Sequence, residues 1–523
     1  MAFNVGINVL ETDGKATPAL AGAPVSVGAY LIRSARGLPN TIYKITGMGQ
    51  VRERFGFPID GAFGYYALKG FFDNGGVTAY VARIAKASGN GQATAASHVF
   101  DTVTVTAGYL GKADPGNWGK RVAIQIVEHG PYDPVPNTFD ILVKRDLDDK
   151  TPIETWDRLT NAPNPATPAR KALDAINDPN AGSKYIMIAV SGTTNPSATT
   201  EDDLDSFPSV SGAQPAYVPL GLGHENDNLD DTLSGQGLTD AFKNGWNLFD
   251  PYDVQLIACP ESNEPDVARA ALDYCAGRGD CMYLGHTGIN DGLDGASAYT
   301  NGNGFRENKV YGAVYFPWIW VSKEGGGRIW VPPVGHVMGV YARTEAERGI
   351  WKAPAGVQAG VRGVLDIKTR LGDVDHTDLV KNGSVNAIRY VTGAGFIVDS
   401  SRTLSTNPLW YYVNVRLLFN YVKSTLRSGL RWVVQEPNSD ELWNKVAINS
   451  VRPFLMGLWR KGAFGPGKAD DVFTIKCDGE NNPPANIQLG IFTLEVYFYP
   501  SRPAETVVII VGQQEGKSSA SEA

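Results

Sequence analysis

The first residues of the chain alternate. Phe3, Val5, Ile7 and Val9 are apolar, with Asn4, Gly6 and Asn8 between them, which is the period of a half-buried strand. The polar, turn-forming stretch Glu11-Thr12-Asp13-Gly14-Lys15 follows. A strand-competent end on a polar tether needs a sheet to join, because an unpaired edge leaves its backbone groups open. At the other end, Thr506, Val507, Val508, Ile509, Ile510 and Val511 are apolar on both faces, the pattern of an inner strand. Residues 512–523 are small and polar and read as a disordered tail.

Between the ends the period changes several times. Residues 25–32 and 78–84 read as strands, 50–55 as helical turns, and 65–72 as a helix stopped by Asp73-Asn74-Gly75-Gly76. From 99 to 239 Pro, Asn, Thr and Asp rise, and no Lys or Arg stands between Lys184 and Lys243. Strands are predicted there at 103–107, 121–128, 138–144 and 185–190. So long a stretch is better read as a separate, acidic, strand-rich insertion than as a loop. Residues 254–259, 267–275 and 281–284 then give a β-α-β pattern suited to a parallel sheet. Residues 310–321 and 328–331 flank the glycine-rich loop 323–327 and predict a hairpin. A long helix is expected over 412–428, ending at Gly429. A second runs from the caps Asn438 and Ser439 to Lys461, with a kink or break at Pro453. Strands are expected at 471–476 and 487–498. No internal repeat is visible.

Composition narrows the function. A chain of 523 residues implies several domains. Net charge −8 argues against a general nucleic-acid binder. Met1 to Val5 lacks the charged and apolar regions of a signal peptide, and no run approaches the ~20 apolar residues that span a bilayer. Cys259, Cys275, Cys281 and Cys477 form no C-x-x-C pair, so a zinc site is not expected and four reduced thiols are; a disulfide between Cys275 and Cys281 stays open. The segment 462–469 has the spacing of a phosphate loop. It ends in Ala469 where Ser or Thr is needed, and it follows a helix instead of a strand. No G-x-S-x-G elbow occurs, and the six histidines are scattered. Tyr315, Phe316, Trp318, Trp320 and Trp330 suit a core or an interface better than a sugar site. No catalytic, cofactor-binding or metal-binding residue is expected, and no cofactor.

Gly6-Ile7-Asn8-Val9-Leu10-Glu11 is similar to the opening motif of the contractile tail sheath family. Gly70-Phe71-Phe72-Asp73-Asn74-Gly75-Gly76, leading into Tyr80 to Ile84, is similar to its Phe-Phe-x-Asn-Gly-Gly signature. The most specific block joins Tyr315 to Trp318, Val331 to Gly339, Ala342 to Thr344, Glu347 to Gly349 and Lys352 to Gly356. Further matches are Asn386 to Arg389, Ser401 to Leu404, Tyr412 to Arg416, Lys476 to Asp478, Asn482 to Pro484 and Arg502 to Glu505. The insertion carries only Asp114 to Gly119 of the pattern.

The resemblance implies a mixed α/β and α+β, multidomain protein. Residues 1–22 would be a linking arm, and 23–98 plus 240–375 a subtilisin-like α/β middle domain without a catalytic triad. Residues 99–239 would be a β-rich surface insertion, and 376–511 an α+β domain facing an inner tube, with the terminal strands exchanged between subunits. It implies a structural subunit, not an enzyme, of a six-start helical sheath built from hexameric rings, which shortens and widens to drive the tube through a target envelope. Partners would be further copies of itself, the inner tail tube protein, and baseplate and tail terminator proteins, with no direct nucleic acid and no membrane insertion. Its place would be a virion tail assembled in the host cytoplasm. A headless bacteriocin or toxin-injecting system is the alternative within this class; a secreted carbohydrate-binding protein or hydrolase is the alternative outside it.

Two residue sets follow as expectations. Phe3, Val5, Ile7, Val9 and Thr506 to Val511 would pair with a neighbouring copy, or else complete their own sheet. Bases outnumber acids between 401 and 470, and Arg416, Lys423 and Arg427 share one helix face. That face, with Arg460 and Lys461 at the end of the next helix, would dock on an acidic tube, or else be simply solvated.

Overall fold

The computed structural model describes residues 20–23, 26–86, 94–200, 203, 216–222 and 233–505. Its main sheet contains β1 (Gly28–Ile32), β2 (Ile42–Ile45), β3 (Ala79–Arg83), β4 (Leu256–Ala258), β5 (Met282–His286), β6 (Gly312–Phe316), β7 (Val385–Val391) and β8 (Gly395–Val398). Across the sheet the order is β2-β3-β1-β4-β5-β6-β7-β8. The strands from β3 to β7 run parallel, and β2 and β8 close the edges antiparallel. In β1, Tyr30 and Ile32 enter one core while Ala29 and Leu31 enter the other. A parallel strand covered on both faces has to be apolar throughout.

Helix α1 (Gly64–Asp73) lies on the first face and α2 (Pro265–Arg278) on the second. The first face also carries α3 (Val334–Arg348), buried continuously from Val334 to Thr344. Helices approach this closely only where side chains are small. A Cβ on Gly335 would fall on the Ala67 backbone, one on Gly339 on the Phe71 carbonyl, and one on Gly70 on the His336 ring. Beyond α1, the Asn74 side-chain amide donates to the carbonyls of Gly70 (2.9 Å) and Arg362 (3.1 Å), and its oxygen accepts from the Arg362 N–H at 2.8 Å. Arg343 of α3 donates to the carbonyls of Asn74 (3.1 Å) and Gly360. Gly75, at φ 111°, turns the chain against the Arg343 Cβ, where no other residue fits without strain.

Between β3 and β4 the chain leaves the main sheet and builds two sheets, antiparallel except where Arg170–Lys171 runs parallel to Glu154–Thr160, around a core of its own, which includes Val103, Ile124, Phe139, Ile186 and Leu220. One sheet contains Ala123–His129, Thr138–Lys144 and Glu154–Thr160; the other contains Ser97–Phe100, Val103–Tyr109 and Ile186–Val190. This unit is fastened by Asp114, which is completely buried. Its carboxylate accepts the Gly37 N–H at 2.8 Å and lies 3.5 Å from the Arg83 Nη1. The Arg36 guanidinium sits between the Trp118 ring at 4.3 Å and the Tyr185 ring at 4.5 Å.

Four expectations change. Residues 310–321 are two strands and not one: β6 ends at Phe316, and Ile319–Ser322 joins a separate sheet with Arg328–Val331 and Val364–Ile367. Pro317 separates them because it has no N–H for a ladder. The second long helix runs without a gap from Asp440 to Arg460, but not as one α-helix: Lys445–Val451 is wound more widely, as a π-helix, between Asp440–Asn444 and Arg452–Arg460, and Pro453 follows just after it, where the hydrogen-bond ladder changes register. Residues 487–498 are not one strand: Pro484–Gln488 is helical, Gly490 turns at φ 70°, and only Glu495–Phe498 is extended. The boundary expected at 375 falls short of β7 and β8, which belong to the main sheet.

Gly335→Ala is expected to destabilise the fold by about 1–3 kcal/mol or more, since a methyl must separate two backbones in contact. Urea unfolding at unchanged m-value checks it, and wild-type stability would rule out the close contact. Asp114→Ala leaves two arginines buried without their carboxylate. A loss of about 3–5 kcal/mol is expected, as for a broken buried ion pair. Thermal melting reads it, and a shift within error would show that the insertion is held by other contacts.

Candidate assembly site

Helix α4 (Val413–Gly429) is the element on which the surface features converge. Val413, Leu417, Leu418, Val422 and Thr425 bury one side of it. Two buried amides fix its register. The Asn414 amide donates to the carbonyls of Trp351 (2.8 Å) and Ser501 (3.1 Å), and the Asn420 amide donates to the Cys281 carbonyl at 3.1 Å.

Both described chain ends are rooted on this helix. At its C-terminal end, the Ala23 N–H donates to the Thr425 hydroxyl at 3.1 Å, Gly22 meets the Tyr421 hydroxyl, and Leu20 packs on Gly429. At its N-terminal end, Arg402 grips Glu505 with two hydrogen bonds, one of them 2.7 Å, and the Tyr412 hydroxyl donates to the same carboxylate at 3.2 Å. The hydrogen bonds from Arg402 hold the Glu505 carboxyl below its ordinary range. With 1.5 Å of rise per residue, the roots at Tyr412 and Thr425 are about 20 Å apart. Phe3, Val5, Ile7, Val9, Thr506, Val507, Val508, Ile509, Ile510 and Val511, the expected strand-exchange residues, lie outside the described residues.

The expected basic face is divided. Arg427, Arg460 and Lys461 are exposed. Lys423 is exposed as a residue, but its ammonium donates to the Tyr311 hydroxyl at 3.4 Å. Arg416 is fully buried, stacked between Tyr311 and Trp410, and so is not part of an exposed face. Sequence spacing placed it on the same helix side as Lys423. The aromatic cover comes from segments remote in the chain, and no local signal announces it.

Reactive groups are enclosed. Tyr315, Phe316 and Trp318 are buried, and Trp320 stacks on Trp330 at 4.8 Å in the small sheet. The buried thiols of Cys275 and Cys281 lie 3.4 Å apart. Among the described residues, no group of three His, Cys, Asp or Glu is set to hold a metal, and no helix is long and apolar enough to cross a membrane. Burial pushes His286 and His336 down to about 4, so both rings are neutral at pH 7.

No protein-family model matches the chain. The tail sheath protein of Salmonella phage ViI is 27 % identical over 184 residues, covering 34 % of this chain and 28 % of its own length. That of Enterobacteria phage T4 is 24 % identical over 219 residues, covering 41 % of this chain and 32 % of its own. The matched region therefore spans less than a third of these curated relatives. Among solved structures, the contracted sheath complex of an extracellular contractile injection system, PVC, superposes with TM-score 0.58 at 15 % identity, over 98 % of this chain and 99 % of that one. The contracted helical sheath of the anti-feeding prophage gives 0.55 at 18 %, over 98 % and 100 %. The crystal structure of a sheath tail protein from Desulfitobacterium hafniense gives 0.58 at 12 %, over 90 % and 94 %. The relatives are tail sheath proteins, and the mixed α/β, multi-sheet fold is that of contractile-sheath proteins.

The buried histidines predict an acid response. Their folded pKa lies below the unfolded value of 6.5, so the unfolded chain binds more protons between the two. Stability should fall as pH drops from 6.5 towards 4, by roughly 3 kcal/mol per ring at the lower limit. Urea melts at stepped pH test this, with His336→Leu expected to flatten the slope; an unchanged slope in that variant would exclude His336 as a source.

Proposed function

We propose that this chain is the repeating subunit of a contractile sheath. It polymerises helically around an inner tube, then shortens and widens to drive the tube through a target envelope. The observation that carries this reading is the sheath fold extending over nearly the whole chain. The two roots on α4 support it, since they give each exchanged strand a fixed anchorage.

In this reading the segments around Phe3 to Val9 and Thr506 to Val511 add to the sheets of neighbouring copies. Main-chain hydrogen bonds supply strength, and alternate side chains supply register. The main sheet is the subtilisin-like middle unit, the 94–222 unit is an outer decoration, and the part containing α4 faces the tube. Arg427, Arg460 and Lys461 contact an acidic tube surface. Exposed ion pairs are worth only about 0–1 kcal/mol each, so many together hold and still release. Baseplate and terminator proteins cap the polymer. The subunit is mechanical and not catalytic, and its energy is the difference between two packings of the same copies. The curated relatives are phage proteins, and two of the solved neighbours above come from injection systems. The mechanical role is the same in both settings.

Deleting residues 1–12 should leave a folded protomer that no longer polymerises. Negative-stain microscopy beside circular dichroism checks this. Normal ribbed tubes from the truncated chain would remove N-terminal strand donation from the mechanism.

A further inference from the structure

Arg416 stands in the first turn of α4, where the helix dipole already presents positive charge. Its guanidinium carbon lies 4.1 Å from the Tyr311 ring centre and 3.9 Å from that of Trp410. Its Nε and Nη2 are buried without a hydrogen-bond partner. Two more cations share the rings. The Lys423 Nζ is 5.2 Å from the Tyr311 ring, and the Lys309 Nζ is 5.1 Å from the Trp410 ring. Among the described residues, no carboxylate pairs with Lys309, Arg416 or Lys423. Asp280, next to the Gly279 turn that Lys423 crosses, is committed to Arg278 at 2.8 and 3.1 Å.

Cation–π contacts recover only part of what burying an ion costs, and each unmet donor adds to that cost. The aromatic sandwich therefore does not balance the site by itself, and three like charges repel one another within it. Burial works against it, yet the charges of Lys423, Arg416 and Lys309 hold the Tyr311 phenol below its ordinary pKa. The cluster lacks an anion. Both lysines are exposed, and Lys423 and Arg427 line an adjoining open cleft of about 430 Å³, with room for an incoming side chain.

We infer that Lys309, Arg416 and Lys423 form an anion site that is completed by a carboxylate from a second copy of this chain. The inference rests on the sheath reading for its second half. The chain carries net charge −8, and the interval between Lys184 and Lys243 contains Asp and Glu with no Lys or Arg, so a copy offers the complementary charge. A contact between two unlike patches of identical chains is heterologous. Where its rotation does not close into a ring, such a contact propagates as a helix.

The test uses the full chain and two readouts. In the first, sodium succinate is added to dilute protomer and compared with sodium chloride at equal ionic strength. A rise in Tm of about 2 °C is expected for the wild type and none for Arg416→Met. Arg416→Met alone should melt no lower than wild type, because it removes an uncompensated buried charge. A lower melting temperature, or no succinate effect on the wild type, overturns the anion site. In the second, the double variant Lys309→Gln, Lys423→Gln, altered only at exposed lysines, should raise the critical concentration for sedimentable polymer by about tenfold, with unchanged protomer Tm. An unchanged critical concentration overturns the second copy as the source. Failure of the wild type to polymerise at all counts against the sheath reading, and the succinate result still decides the anion site.

Discussion

The contact between α1 and α3 is the constraint on which the rest of the structure depends. Both helices cover one face of the main sheet, and Gly70, Gly335 and Gly339 let their backbones touch. With the helices so close, Asn74 and Arg343 can reach across and bond the carbonyls that α1 and the following loops leave open. These residues belong to the Phe-Phe-x-Asn-Gly-Gly segment and the segment from Val331 to Thr344, which look unrelated along the chain. In the fold they are two halves of one joint. On the same core packs α4, through Val413, Leu417, Leu418 and Val422, with the Asn414 and Asn420 amides fixing its register.

Two buried arginine clusters use opposite solutions. Arg83 and Arg36 meet the buried carboxylate of Asp114, so the 94–222 unit is attached by a contact complete within one chain. Arg416 meets only aromatic faces. The first arrangement suits a fixed attachment, because removing either partner strands a charge. The second suits a contact that forms and breaks, because its missing charge can come from outside. Both have cation–π stacking, but the first cluster also has the Asp114 carboxylate and backbone carbonyls that accept from Arg36 and Arg83, while the Nε and Nη2 of Arg416 have no partner.

Much of this was legible in the residue pattern. The β-α-β succession from 254 to 284, the strands at 103–107 and 138–144, and the helix over 412–428 all follow from local period and stop signals. The helix α3 was not predicted. Buried on all sides, it has no polar stripe to mark its period, and its glycines weaken helix propensity. The strand reading of 487–498 failed because apolar residues at Ile487, Leu489 and Ile491 mimic alternation, while the prolines at 483 and 484 start a helical turn. At the candidate site, the basic residues were visible but their exposure was not. Whether Arg416 faces solvent is decided by Tyr311 and Trp410, which no spacing rule connects to it.

The two chain roots set a mechanical requirement on α4. Strands donated to neighbours would transmit load to Arg402–Glu505 at one end of the helix and to Thr425 and Gly429 at the other. A helix loaded at both ends serves as a strut only if it cannot slide on the sheet beneath. The amides of Asn414 and Asn420 prevent sliding, because a shift along the axis would leave a buried amide and a buried carbonyl unpaired. In the sheath reading proposed above, such a subunit would turn as a body about its neighbours with its interior unchanged, and rearrangement would fall to the exchanged strands and to contacts weak enough to reform.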